Sequence, residues 1–160
     1  MNYRIVNKES FKVIGKSIKT STANGHQQKT ISEFWEESNR PNGLSERLAP
    51  NLGPMGFLGL CLDINQDKEE MVYMIAAEQT GTSEDKELEE RIIPAQTWAV
   101  FESAGPMPNA IQDVWGRVYS EWFPSTGYEH AAGPEMEVYP AGDPYHLDYR
   151  CEVWVPIIKK

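Results

Sequence analysis

Two segments near the C-terminus concentrate the side chains best suited to chemistry. Side chains on a β-strand point alternately to its two faces, so Glu135, Glu137 and Tyr139 share one face of a strand Glu135 to Tyr139, with Met136 and Val138 on the other. In a second strand Glu152 and Trp154 alternate with Cys151, Val153 and Val155. If the aliphatic faces of both strands lie together under helices, the opposite face gathers Glu137, Glu152, Tyr139 and Trp154. A solvated sheet face also carries Glu, but here it would leave two large aromatic side chains in water. A concave, partly covered surface accounts for both residue types. Carboxylates among aromatic rings suit a cationic or hydrogen-bond-donating ligand. A buried carboxylate without such a partner raises its pKa instead. Two carboxylates on adjacent strands also have the makings of an acid and base pair, and spacing alone does not choose between the two roles.

Other chemistries find little footing. His26, His130 and His146 have no paired spacing for a metal, and Cys61 and Cys151 sit in apolar runs where a thiol behaves as a small hydrophobe. There is no nucleophile motif, phosphate-binding loop or dinucleotide fingerprint. No catalytic residue, metal or cofactor is therefore expected. A net charge of -9 repels phosphate backbones, and no run of Lys and Arg offsets it. Direct nucleic-acid binding is not expected. No apolar stretch is long enough to span a bilayer and no signal peptide is visible, so the expected setting is cytoplasmic, away from membranes.

The elements that must position these residues can be read along the chain. With 160 residues, 40% hydrophobic and 24% charged, one domain with one core is expected. Phe11 to Lys19 alternates like a strand, Thr30 to Glu33 offers a capping box for a short helix, and Ser38 to Pro54 reads as a loop with one helical turn at Ser45 to Ala49. Phe57 to Ile64 and Met71 to Glu78 suggest an antiparallel pair, and Thr80 to Glu90 a polar connection. The pattern then restarts. Gln96 to Ser103 is strand-like, and Asn109 is placed to cap a helix with apolar residues from Ile111 to Phe123 at helical spacing, stopped by Pro124. Glu135 to Tyr139 and Tyr149 to Ile158 follow as the last two strands.

Each half thus reads strand, helix, strand, strand, about residues 1–79 and 90–160, with Trp35 and Trp115 at similar places in the two helices. The fold class expected is mixed α/β (α+β), a duplicated module with one curved antiparallel sheet and two main helices. Duplication places Tyr73 near a counterpart of Glu152, so Tyr73 joins the candidate lining, with Trp115 and Trp98. Trp35, Trp115, Tyr119 and Trp122 are expected in the core first of all, because an apolar stripe at helical spacing is how a helix packs, and Trp115 is a lining candidate only in second place.

The run Gly127-Tyr128-Glu129-His130-Ala131-Ala132-Gly133-Pro134-Glu135-Met136-Glu137-Val138-Tyr139, followed by Cys151 to Ile157, resembles the C-terminal signature of the gyrase-inhibitor-like (GyrI-like) effector-binding family. Trp115 to Pro124 and Phe11 to Gly15 are similar to that family as well. The resemblance implies a duplicated fold whose sheet curves round a ligand channel. It also implies a role as a multidrug-binding sensor or sequestering protein linked to transcription regulation or drug resistance, here in free-standing form because little chain precedes Phe11. By the same resemblance Glu152 or Glu137 matches the acid that receives cationic aromatic drugs, with Tyr139 and Trp154 as walls. Two further roles are implied by family members: hydrolysis of reactive electrophiles assisted by an acid and a Tyr, and inhibition of a protein partner such as DNA gyrase.

Overall fold

The computed structural model describes residues 1–79 and 85–160. The strands are β1 (Tyr3–Lys8), β2 (Phe11–Ser21), β3 (Phe57–Asn65), β4 (Glu70–Glu78), β5 (Glu89–Ile93), β6 (Gln96–Ala104), β7 (Tyr128–His130), β8 (Glu135–Tyr139) and β9 (Arg150–Lys159). They form one antiparallel sheet in the order β1-β6-β9-β8-β3-β4-β2-β5, with β7 paired to the end of β9. The helices are α1 (His26–Ser38), α2 (Leu44–Leu48) and α3 (Asn109–Arg117). The chain is therefore a mixed α+β fold, with each half supplying strand, helix, strand, strand.

Burial follows the two faces of the sheet. On one face Phe11, Val13, Leu58, Leu60, Met74, Trp98, Val100, Met136, Val138 and Trp154 form a single cluster drawn from both halves. Such a cluster requires the sheet to curl until its outer strands meet. Lys8 at the end of β1 accordingly reaches Glu78 on β4 (3.5 Å) and lies over the Phe11 ring. The helices cover the other face. α3 packs on Phe101, Cys151, Val153 and Val155 of β6 and β9, while α1 and α2 pack on Ile14, Met71, Tyr73 and Ile75 of β2 and β4. Between these two helical layers runs the central β3–β8 pair.

Several local expectations are corrected. α1 begins at His26, after Asn24 and Gly25 in left-handed conformation, because its first turn, His26 to Lys29, is polar and gives no amphipathic signal. Thr30 is inside the helix, its hydroxyl donating to the His26 carbonyl rather than capping. Asn109 is the first helical residue and makes no side-chain cap. The helix does not end abruptly at Pro124. It widens into a π-helical turn over Val118–Trp122 and finishes in a last turn at Phe123–Ser125, one residue beyond the proline. β1, β5 and β7 are additional strands. The last two residues of the presumed connection from Thr80 to Glu90 already belong to β5, and residues 80–84 of it lie outside the described residues.

Candidate functional site

The uncovered helix-side face of β3 and β8 is the floor of a cleft of about 2370 Å³, open to solvent and walled by α1 and α3. That is larger than the ~300–1,000 Å³ of common small-molecule pockets. Cross-strand register puts Phe57 beside Tyr139, Gly59 beside Glu137 and Cys61 beside Glu135. The adjacent strand adds Tyr73, paired with Cys61.

Glu137 is the centre of the floor. Its Oε1 accepts the Tyr73 hydroxyl at 3.1 Å and its Oε2 accepts the Trp115 indole N–H at 2.9 Å. Tyr73 in turn accepts the Trp35 indole N–H at 2.9 Å, so one hydrogen-bonded chain runs from α1 through the carboxylate to α3. Trp35 also meets Tyr139 edge to face at 5.3 Å, and the Tyr139 hydroxyl is a further partner of Glu137. Desolvation pushes the Glu137 pKa up, more than the hydrogen bonds from Trp115, Tyr139 and Tyr73 pull it down, and the neighbouring Glu135 adds to the rise. Among the described residues no Lys, Arg or His forms an ion pair with Glu137. Burial likewise holds Tyr73, Tyr139 and Cys61 well above their ordinary values, so all three stay neutral near pH 7.

A second group stands along the same floor. Glu135 accepts the Tyr119 hydroxyl and lies 3.2 Å from His130 Nε2. Tyr119 stacks between Trp115 and His130, at 6.2 Å from each. The π-helical turn supplies Tyr119 and β7 supplies His130.

Of the residues singled out from the sequence, Glu137, Tyr139, Tyr73 and Trp115 meet in this cleft. Glu152, Trp154 and Trp98 do not. The β8–β9 register pairs Glu137 with Val153 and Val138 with Glu152, so the aliphatic faces of the two strands do not coincide. Cys151, Val153 and Val155 lie under α3 as expected, but Met136 and Val138 face away from the helices, which turns Glu137 and Tyr139 to the helix side instead of the opposite one. Glu152 and Trp154 lie on the face remote from the helices, where Trp154 packs edge to face on Trp98 at 5.7 Å. Glu152 there pairs with Arg4 at 2.8 Å and accepts the Trp154 indole N–H. Trp35, Trp115 and Tyr119, expected first of all in the core, stand in the cleft wall with His130 and Glu135, while Trp122 is buried under α3's layer as expected. The matching positions of Trp35 and Trp115 in the two helices are the signal that points to the former, since a second helix of the same build presents its indole to the same gap.

The model of the GyrI-like small molecule binding domain family matches residues 1–158. No curated protein matches the chain. Among solved structures, that of SAV2435 bound to tetraphenylphosphonium is 24% identical, covering 99% of this chain and 94% of that one, with a TM-score of 0.87. A protein of Staphylococcus aureus MU50 assigned to bacterial transcription regulation is 23% identical over 98% of both chains, TM-score 0.79. The EcmrR C-terminal domain is 15% identical over 99% of this chain and 98% of that one, TM-score 0.64. At these identities the structures attest the fold.

Proposed function

The chain belongs to the GyrI-like family of small-molecule binding domains, and from that premise we propose that its cleft binds a bulky aromatic cation at Glu137, in a sensing or sequestering role. The observation that carries this reading is a carboxylate enclosed by aromatic rings and neutral donors, with no cation among the described residues to balance it. An arriving organic cation stacks on Trp35, Trp115 and Tyr139, and its charge offsets the cost of ionising Glu137. The cation–π part alone is worth ~0.5–2 kcal/mol. The donors orient the carboxylate without neutralising it, which leaves its charge for the ligand. Turnover of a bound electrophile, seen as product by mass spectrometry, would instead support hydrolysis.

The test is a calorimetric titration with tetraphenylphosphonium and the neutral triphenylphosphine oxide. Glu137→Gln should weaken the phosphonium about tenfold or more, the equivalent of ~1.4 kcal/mol, and leave the oxide within about twofold. Glu152→Gln, on the other sheet face, should change neither ligand. Equal phosphonium affinities for wild type and Glu137→Gln would remove Glu137 from the site.

A further inference from the structure

The second group on the cleft floor extends the ligand-binding reading, on which this inference rests. His130 Nδ1 lies 2.6 Å from the Ala131 carbonyl oxygen, and because a carbonyl only accepts, that nitrogen carries a proton. In neutral imidazole the Nε2 lone pair would then face the Glu135 carboxylate at 3.2 Å. The contact is attractive when the ring takes its second proton and becomes imidazolium. An imidazolium is a flat, delocalised cation, and this one lies nearly parallel to the Tyr119 ring, at 14° and 6.2 Å, with Phe123 tilted over it at 6.1 Å. A flat cation between an aromatic face and a carboxylate is the chemistry proposed for the ligand at Glu137, supplied here by the protein's own side chain. His130 is partly exposed at the cleft wall, so rotation about its side-chain bonds vacates the place.

We propose that Tyr119 and Glu135 form a second cation subsite, filled by His130 in the free protein, and that the cleft therefore favours ligands with two cationic ends, one at Glu137 and one at Glu135. The two acids stand on one strand face two residues apart, a backbone spacing of about 7 Å, which matches two charged groups across a single benzene ring.

The titratable groups facing His130 are Glu135 from β8 and Tyr119 from the helical segment, with Cys61 of β3 and Glu137 of β8 beyond them. Its cross-strand partner on β9 is the apolar Ile157. Burial raises Tyr119 and Cys61, so neither ionises near neutrality. The hydrogen bond to Glu135 holds His130 above its ordinary value against the opposing effect of burial. Below that raised pKa the imidazolium competes with a ligand for Glu135. Above it the subsite is open.

Benzamidine and benzene-1,4-dicarboxamidine test this by calorimetry between about pH 5.5 and about pH 8.5, a window that brackets histidine titration while both amidines remain charged. The ratio of dication to monocation affinity cancels the shared contribution of Glu137. In wild type it should rise about tenfold as the pH passes through the His130 range. In His130→Ala it should be high at every pH, and in Glu135→Gln it should stay near unity. The His130 ring resonances of wild type, followed by NMR, should titrate at lower pH once the dication is bound; this readout does not depend on either variant folding. A ratio that is flat with pH in wild type, or unchanged in Glu135→Gln, overturns the second subsite. If tetraphenylphosphonium still binds through Glu137 in that case, only the second subsite falls. If none of the three cations binds, both readings fall together.

Discussion

Glu137 is held by Tyr73, Trp115 and Tyr139, none of which can neutralise it. Its pKa is raised, chiefly by desolvation, so the folded state keeps the proton more tightly than the unfolded chain does. The sign of the stability effect follows. The favourable contribution is fully present below the unfolded carboxyl pKa of about 4.3 and is lost as pH rises through the raised folded value. Glu137→Gln removes that titration. Its melting temperature, measured against wild type across this range by calorimetry, should gain on wild type as the solution goes from acid to neutral. A constant difference would mean that the carboxyl ionises at no cost and is less enclosed than its surroundings indicate. Glu152 shows the contrasting environment, since it has Arg4 as a counter-ion at 2.8 Å, and an exposed pair of that kind contributes only ~0–1 kcal/mol.

Among the elements, the β3–β8 pair is decisive because neither helix covers it. Gly59 lies directly beside Glu137 in that pair. A Cβ on Gly59 would come within 2.2 Å of the Tyr73 hydroxyl and 3.0 Å of Glu137 Oε1, so the absence of a side chain is what allows the Tyr73–Glu137 hydrogen bond. Gly59→Ala should displace both groups, destabilise the fold by ~1–3 kcal/mol, the range for an overpacked site, and weaken tetraphenylphosphonium binding along with it. Chemical denaturation and the same titration measure the two effects. Full stability and full affinity in this variant would show that Tyr73 yields without cost. The helical elements act in complement: α1 and α3 each present one indole N–H to the gap, and the π-helical turn after α3 carries Tyr119 to Glu135.

For the whole molecule, the strand order on either side of the central β3–β8 pair is a mirror sequence: β8, β9, β6, β1 outward on one side and β3, β4, β2, β5 on the other. We propose on that basis that residues 1–79 and 90–160 are pseudo-repeats, each covering its own strands with its own helix and leaving the junction open. The remote face joins them, because Leu58 and Leu60 pack there with Met136, Val138, Trp98 and Trp154. Leu58→Ala should therefore cost ~2–5 kcal/mol, as expected for a fully buried leucine, and unfolding should remain a single transition by both tryptophan fluorescence and far-ultraviolet circular dichroism. Two separate transitions would mean that the halves fold independently. Among the described residues no helix is long and apolar enough to cross a membrane.

The sequence by itself determined what is local. The pleat alone places Glu135, Glu137 and Tyr139 on one face of β8, and the restart of the strand, helix, strand, strand pattern foretells two halves that each carry a helix. Where the faces of neighbouring strands meet is not local. A shift of one residue in register reverses every side chain of a strand, and only the pairing of Glu137 with Val153 decides that Glu152 and Trp154 lie away from the cleft. The fates of Trp35, Tyr119 and His130 were decided in the same way. An indole on an amphipathic helix packs into the core wherever a strand lies beneath it, and these rings border a cleft because the two helices leave the central strands uncovered.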